Sequence, residues 1–257
     1  MKSRIRKPVV LSIAGSDSGG GAGIQADLKT FESFGVFGTT AITAVTAQNT
    51  RGVEASVALD PAIVTAQIRA VATDLRPAAT KTGMLSRATL VTAVASAVRE
   101  FSLSPLVVDP VLISTSGHRL LEEDAIEALR DDLLPLAAVV TPNIPEAERL
   151  AGIEIDGEEA ALEAARRLVS SGASAALVKG GHGRGPEVSD VLWDGDTATV
   201  WRAERLERED THGTGCTLSA ALAAGLARGG ALTSAVGDAI AYTRGLIEAA
   251  PGAGPQD

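Results

Sequence analysis

The heptapeptide DTHGTGC, residues 210–216, has the residue types for chemistry on an anion. It opens a long alanine-rich stretch whose pattern predicts a helix over residues 215–228. Gly213 and Gly215 would leave backbone N–H groups bare at that helix's N-terminus, where the macrodipole also favours negative charge. Such a place can stabilise a phosphoryl group in transit, because phosphoryl transfer needs mainly positioning and electrostatics. Cys216 falls at the same helix start. A thiol there is expected to have a lowered pKa and to take a proton from a substrate hydroxyl. An isolated cysteine in a first helical turn also reads as a buried structural residue; the Gly-Thr-Gly before it argues for chemistry.

Further segments carry groups of the same kind. AGSDSGGGAGIQAD, residues 14–27, is a glycine-rich stretch in which Gly21, Gly23 and Ala26 match a dinucleotide fingerprint. AQN at residues 47–49 stands where the ribose-holding acid of that fingerprint belongs, and no Lys-Ser/Thr pair follows the glycines. The stretch is therefore neither a complete Rossmann fingerprint nor a phosphate-binding P-loop, which leaves a ligand-facing loop or a plain glycine turn. Asp27 and Gln48 offer a carboxylate acceptor and a two-way amide, a pair suited to a flat aminopyrimidine ring. Each also reads as a solvated cap or turn residue. Asp109 in VVDPV and Asn143 and Glu146 in TPNIPEAE supply the oxygen ligands that Mg²⁺ prefers, or Asn143 and Glu146 merely cap a helix near Pro145. Lys179 in LVKGGHG could reach a phosphate or be a solvated turn lysine. The three histidines, 118, 182 and 212, have no metal-site spacing.

These segments need a frame that brings them together, and the pattern supplies one. Short β-branched runs alternate with longer amphipathic stretches, the signature of repeated βαβ units around a mostly parallel sheet. Strands are predicted at 9–14, 39–45, 79–81, 106–109, 138–141, 175–179, 188–193 and 198–202, the last two as a hairpin around Asp194 and Gly195. Helices are predicted at 25–34, 61–73, 87–100, 123–134, 158–171, 215–228 and 233–248. Asp60 and Pro61 read as an N-cap and N1 proline, and Gly172 and Gly229 as helix-terminating residues with positive φ. In such a sheet ligands bind beyond the strands' carboxyl ends, and the motifs begin where predicted strands end.

Composition narrows the partners. The 257 residues suit one domain, with residues 1–8 and 250–257 as frayed ends. A formal net charge of −9 lacks the basic footprint of a nucleic-acid or anionic-membrane binder. One cysteine excludes an internal disulfide and a Cys-clustered metal site, and points to a reducing cytoplasm. The apolar run after the basic N-terminus is too short for a signal peptide, and no segment reaches the roughly 18 apolar residues of a membrane span.

AGSDSGGGAGIQADLKTF, TAVTAQNTRGV, TKTGML, VVDPV, TPNIPEAE, KGGH and DTHGTGCTLSAALAA, in that order, closely resemble the hydroxymethylpyrimidine/phosphomethylpyrimidine kinases of thiamine biosynthesis, from about residue 9 to about residue 248. The resemblance implies a ribokinase-like, three-layer α/β/α fold. It implies phosphorylation of 4-amino-5-hydroxymethyl-2-methylpyrimidine to the monophosphate and then the diphosphate, with ATP and Mg²⁺, in a cytoplasmic homodimer. It makes Gln48 the main pyrimidine contact, helped by Asp27, Gly15, Met84 and Val111. Asn143, Lys179 and Thr214 become ATP and phosphate contacts, and Glu146 and Asp109 lie near Mg²⁺, partly through water. Gly213, Gly215, Lys179 and Cys216 become catalytic, Cys216 standing where sugar-kinase relatives have an aspartate base. A thiol that stays neutral would not repel a phosphate acceptor as an aspartate would. The chain departs from the family in LISTSGH after VVDPV, which lacks a lysine found in many members, and in a shorter C-terminal tail. A vitamin B6 kinase of the same fold, a non-catalytic pyrimidine sensor and a Rossmann oxidoreductase are the alternatives.

Overall fold

The computed structural model describes residues 7–49, 51–112, 122–182, 185–206 and 213–249. His118, the C-terminal frayed end, and Asp210, Thr211 and His212 of the heptapeptide lie outside the described residues. Lys7 and Pro8, expected to be frayed, are held: Phe37 N–H donates to the Pro8 carbonyl at 2.8 Å and Lys7 pairs with Glu32 at 3.3 Å.

The strands are β1 (Val9–Asp17), β2 (Phe37–Asn49), β3 (Gly52–Ala58), β4 (Ala79–Thr82), β5 (Leu106–Val108), β6 (Val139–Val140), β7 (Ala176–Val178), β8 (Glu187–Trp193) and β9 (Ala198–Glu204). The helices are α1 (Gly23–Ser33), α2 (Pro61–Leu75), α3 (Ala88–Glu100), α4 (Glu123–Ala128), α5 (Ile144–Ala151), α6 (Glu158–Ser170), α7 (Thr214–Ala227) and α8 (Leu232–Ala249). The strands form one nine-stranded sheet in the order β3-β2-β1-β4-β5-β6-β7-β8-β9. Pairing is parallel from β2 to β7 and antiparallel at both ends. The hairpin predicted around Asp194 is present, its turn held by the Asp194 carboxylate accepting from Asp196 and Thr197 N–H.

Alternation along the strands sorts side chains into two cores. Leu11, Ile13, Leu106, Val108, Val140 and Val178 pack with apolar residues of α2 to α6. Val10, Val107, Val139 and Leu177 face the other way, onto α1, α7 and α8. Helices therefore cover both faces, and each large aliphatic side chain so buried contributes about 1.5–3 kcal/mol. On α7 every residue from Thr217 to Ala224 is buried, because the helix lies between the sheet and its neighbours α1 and α8.

The helix ends follow local chemistry. Asp60 accepts from Ala62 N–H ahead of Pro61, while Gly172 and Gly229 have φ of +118° and +82°. The predicted helix at 123–134 breaks into α4, a π-helical turn (Leu129–Leu133) and a 3₁₀ turn (Leu134–Leu136), because Pro135 cannot continue the ladder. β3 was not expected: it alternates weakly, is largely exposed, and exists through its antiparallel pairing with β2.

Candidate active site

The chain leaves β1 for α1 on one side of the sheet, and from β2 on one side of β1 it crosses to β4 on the other, so the glycine loop opens at the point where strand order reverses. A cleft of about 1130 Å³ lies there. It is lined by residues beyond the ends of β1, β4, β5, β6 and β7, by the outer part of β2, by the start of α7, and by parts of β9 and α8. Gly15, Gln48, Met84, Val111, Asn143, Glu146, Asp109, Lys179, Gly213, Thr214, Gly215 and Cys216 all line it.

The glycine loop is held by Asp17, whose carboxylate accepts from Gly19, Gly21 and Ala22 N–H at 2.8 to 3.1 Å. Gln48 lies where the β2–β3 register shifts, the extra residue being Glu54 of β3, and it lines the cleft while its amide oxygen accepts from Thr46 at 3.2 Å. Gly213 is the N-cap of α7 with φ of +80°, and a Cβ there would run into the Gly21 carbonyl oxygen. The two loops thus meet backbone to backbone, which only glycine allows.

Across the cleft, Lys179 Nζ lies 3.1 Å from Asp109 Oδ1, and Ser219 of α7 donates to Asp109 Oδ2 at 3.0 Å. Burial opposes ionisation of Asp109, but Lys179 and Lys81 outweigh it and hold the carboxyl below its usual range. Burial likewise opposes the charge of Lys179, yet Asp109 and Glu146 keep it above its ordinary value. Asn143 and Glu146 do form a capping box, Asn143 Oδ1 accepting from Glu146 N–H at 3.0 Å and Glu146 Oε2 from Asn143 N–H at 2.9 Å. Burial raises Glu146 to about 7, with Lys179 pulling the other way.

Two sequence expectations are corrected. Asp27 does not face the cleft: it is completely buried beneath it, bound by Lys81 and by Ser12, which donates to it at 2.5 Å. α1 turns its inward face to the sheet one turn after the glycine loop, which carries Asp27 under the floor. The Cys216 thiol is raised, not lowered, reaching about 11. Burial dominates, and the opposing pull of Lys81 and of a Gly23 N–H bond to the sulfur is too small to reverse it.

Ser219, Asp17 and Lys81 escaped sequence reasoning. The signal for Lys81 was legible, since a lysine inside the short buried strand ATKT demands a partner.

A mostly parallel sheet covered on both faces, with a glycine-flanked helix start and a facing lysine at its carboxyl edge, is the frame of a small-molecule kinase of the ribokinase-like class. The profile of the phosphomethylpyrimidine kinase family matches residues 17–257. The chain belongs to that family and is a phosphotransferase. It is 54% identical over 243 residues to the hydroxymethylpyrimidine/phosphomethylpyrimidine kinase of Rhizobium meliloti, covering 94% of this chain and 91% of the relative. The crystal structure of phosphomethylpyrimidine kinase from Clostridium difficile matches with a TM-score of 0.84 and 42% identity, covering 94% of this chain and all of the other. Staphylococcus aureus pyridoxal kinase in complex with AMP-PCP and pyridoxal matches with a TM-score of 0.88 and 30% identity, covering 97% and 91%. Among the described residues no helix is long and apolar enough to cross a membrane.

Proposed function

We propose that the chain uses ATP to phosphorylate the hydroxymethyl group of 4-amino-5-hydroxymethyl-2-methylpyrimidine and then the phosphate of that product, two steps of thiamine biosynthesis. The observation that carries this reading is that Gln48 and the glycine-flanked start of α7 line one cleft. Relatives that bear both activities in their names, and a neighbour that binds an ATP analogue, support it.

In this reading Gln48 pairs with the ring edge, and Gly15, Met84 and Val111 shape the slot around it. Met84 is nearly buried, and its methyl group would be only 2.6 Å from a Cβ placed on Gly15. Gly15 therefore packs against the Met84 methyl with no room for a side chain of its own. Gly213, Thr214 and Gly215 present N–H groups to the phosphoryl group, while Lys179 and Asn143 hold the phosphates of ATP.

Among the described residues no group of three or more His, Cys, Asp or Glu side chains could cage a metal. The carboxyls of Asp109 and Glu146 are instead hard oxygen donors already engaged by protein hydrogen bonds. That donor set fits Mg²⁺ held through water and substrate phosphates. Bound Mg²⁺ would neutralise charge on the bridging phosphate oxygens.

With its thiol raised to about 11, Cys216 is neutral at physiological pH and is not a resting base. It orients the acceptor hydroxyl, whose proton leaves late in a loose transition state that demands little nucleophilic push. A neutral thiol also leaves room for a charged acceptor: the second acceptor carries about 1.5 to 2 negative charges near pH 7.

The test is ADP release on the alcohol, its monophosphate and pyridoxal, with Gln48→Ala, Cys216→Ala and Cys216→Asp beside the wild type. Both pyrimidines should be turned over, and pyridoxal more slowly. Cys216→Asp should lose the second transfer more than the first. Undiminished activity in both alanine variants would overturn the site, and equal losses in Cys216→Asp would overturn the role of the neutral thiol.

A further inference from the structure

Among the described residues, the most tightly enclosed charges serve none of the roles assigned so far. Lys81 on β4 and Asp27 on α1 are both completely buried, with the ammonium 3.0 Å from each carboxylate oxygen. Ser12 on β1 closes the cluster by donating to Asp27. Burial opposes the charge of Lys81, but Asp27 keeps the ammonium ionised and above its ordinary range. Sealing such a pair costs more in lost hydration than a hydrophobic pair of similar volume would, so stability alone does not account for it.

Its position supplies a reason. A Cβ placed on Gly83 would lie 3.1 Å from Lys81 Nζ and 3.0 Å from the Ala14 Cβ. Gly83 and Ala14 both line the cleft. The ammonium is therefore separated from the substrate space by little more than one bare backbone segment. α7, which carries Cys216, packs directly on β4 and β1. The groups whose fields reach Lys81 are Asp27 from α1, Cys216 from α7 and Asp109 from beyond β5. On the thiol, Lys81 acts in the acidifying direction and outweighs the opposing influence of Asp27.

We infer that Lys81 is a positioning residue for phosphoryl transfer: a fixed positive charge sealed beneath the Gly83 floor, held by Asp27 and Ser12, which acts through Cys216 and the start of α7 to favour negative charge at the acceptor. Its hydrogen bonds are all made before substrate arrives, so no reorganisation is needed as charge develops, and the shielded site keeps its field strong. This inference rests on the kinase reading above, and it adds a charge that substrate never touches.

The experiment compares the wild type, which holds the ion pair, with the double variant Lys81→Met/Asp27→Asn, which removes both charges of the pair. The double variant should lose about 10-fold to 100-fold in kcat relative to the wild type, with KM for the pyrimidine and for ATP within about twofold. Cys216 is the single cysteine of the chain, so iodoacetamide alkylation at fixed pH reports on it without turnover. Alkylation should be slower in the double variant than in the wild type, because Lys81 acidifies the thiol more than Asp27 opposes it. Where the double variant does not fold, as judged by circular dichroism, Lys81→Gln/Asp27→Asn takes its place with the same expectations. Equal kcat and equal alkylation in the two backgrounds would reduce Lys81 to a structural role and overturn the inference. Failure of the wild type to release ADP would instead sink the kinase reading, while the alkylation result would still judge the charge.

Discussion

Two lysine–carboxylate pairs lie against the cleft, and they differ in what can reach them. Lys81 and Asp27 have no exposed side-chain surface, whereas Lys179 retains 12% exposure above Asp109. Both pairs have the same separation within 0.1 Å, so geometry alone does not distinguish them. Enclosure does. The sealed pair cannot exchange partners, and its field is constant through the reaction. The open pair holds a lysine that can turn from a carboxylate to an arriving phosphate, with Ser219 and Thr141 still bonded to Asp109 when it leaves. In the proposed reading one cation acts on the transfer from beneath the floor, and the other meets the phosphate itself.

The sharpest way to break this contrast is to delete each lysine in turn. Lys81→Ala strands a buried carboxylate and should cost about 3–5 kcal/mol of stability, read by urea denaturation. A loss below about 1 kcal/mol would mean that water reaches Asp27 and that the pair is not sealed. Lys179→Ala should do the reverse, lowering kcat/KM by about 100-fold to 1000-fold with a smaller stability loss. If its stability fell as far as that of Lys81→Ala, the distinction between the pairs would collapse. The smallest expected effect concerns Glu146, beside the open pair. Its folded pKa of about 7 lies above the ordinary 4.5, so protonation favours the fold. That contribution is complete below about pH 4.5 and is lost as pH rises through 7. In metal-free buffer the wild type should therefore lose on the order of 1–3 kcal/mol relative to Glu146→Gln between pH 5 and 8. Parallel stability curves for the two would show that Glu146 is solvated.

Much of this arrangement was legible in the sequence. β-Branched runs marked eight of the nine strands: the parallel strands β1, β2 and β4 to β7 because both faces of the sheet are covered, and the antiparallel β8 and β9 because they alternate around a turn at Asp194 and Gly195. The motifs at their carboxyl ends then identified the cleft. β3 was not legible, since its VEASVA run buries little and depends on pairing with β2. Depth was the other thing hidden. Asp27 and Gln48 look alike as polar residues beside ligand-facing loops, but one turn of α1 puts one under the floor, while Gln48, at the shifted register between β2 and β3, lines the cleft. The direction of the Cys216 shift was hidden for the same reason: helix-start polarity is local and visible, whereas the desolvation that outweighs it comes from distant segments.

The contact between Gly213 and Gly21 bears on how this enzyme could be redesigned. The glycine loop and the start of α7, which the proposed reading gives to the acceptor and the phosphoryl group, share one steric joint, so neither can be lengthened or transplanted from a relative alone. Acceptor range is better edited at Gln48, Met84 and Val111, whose side chains reach the slot without bridging those two loops. A graft of the glycine loop would have to bring its own α7 start with it.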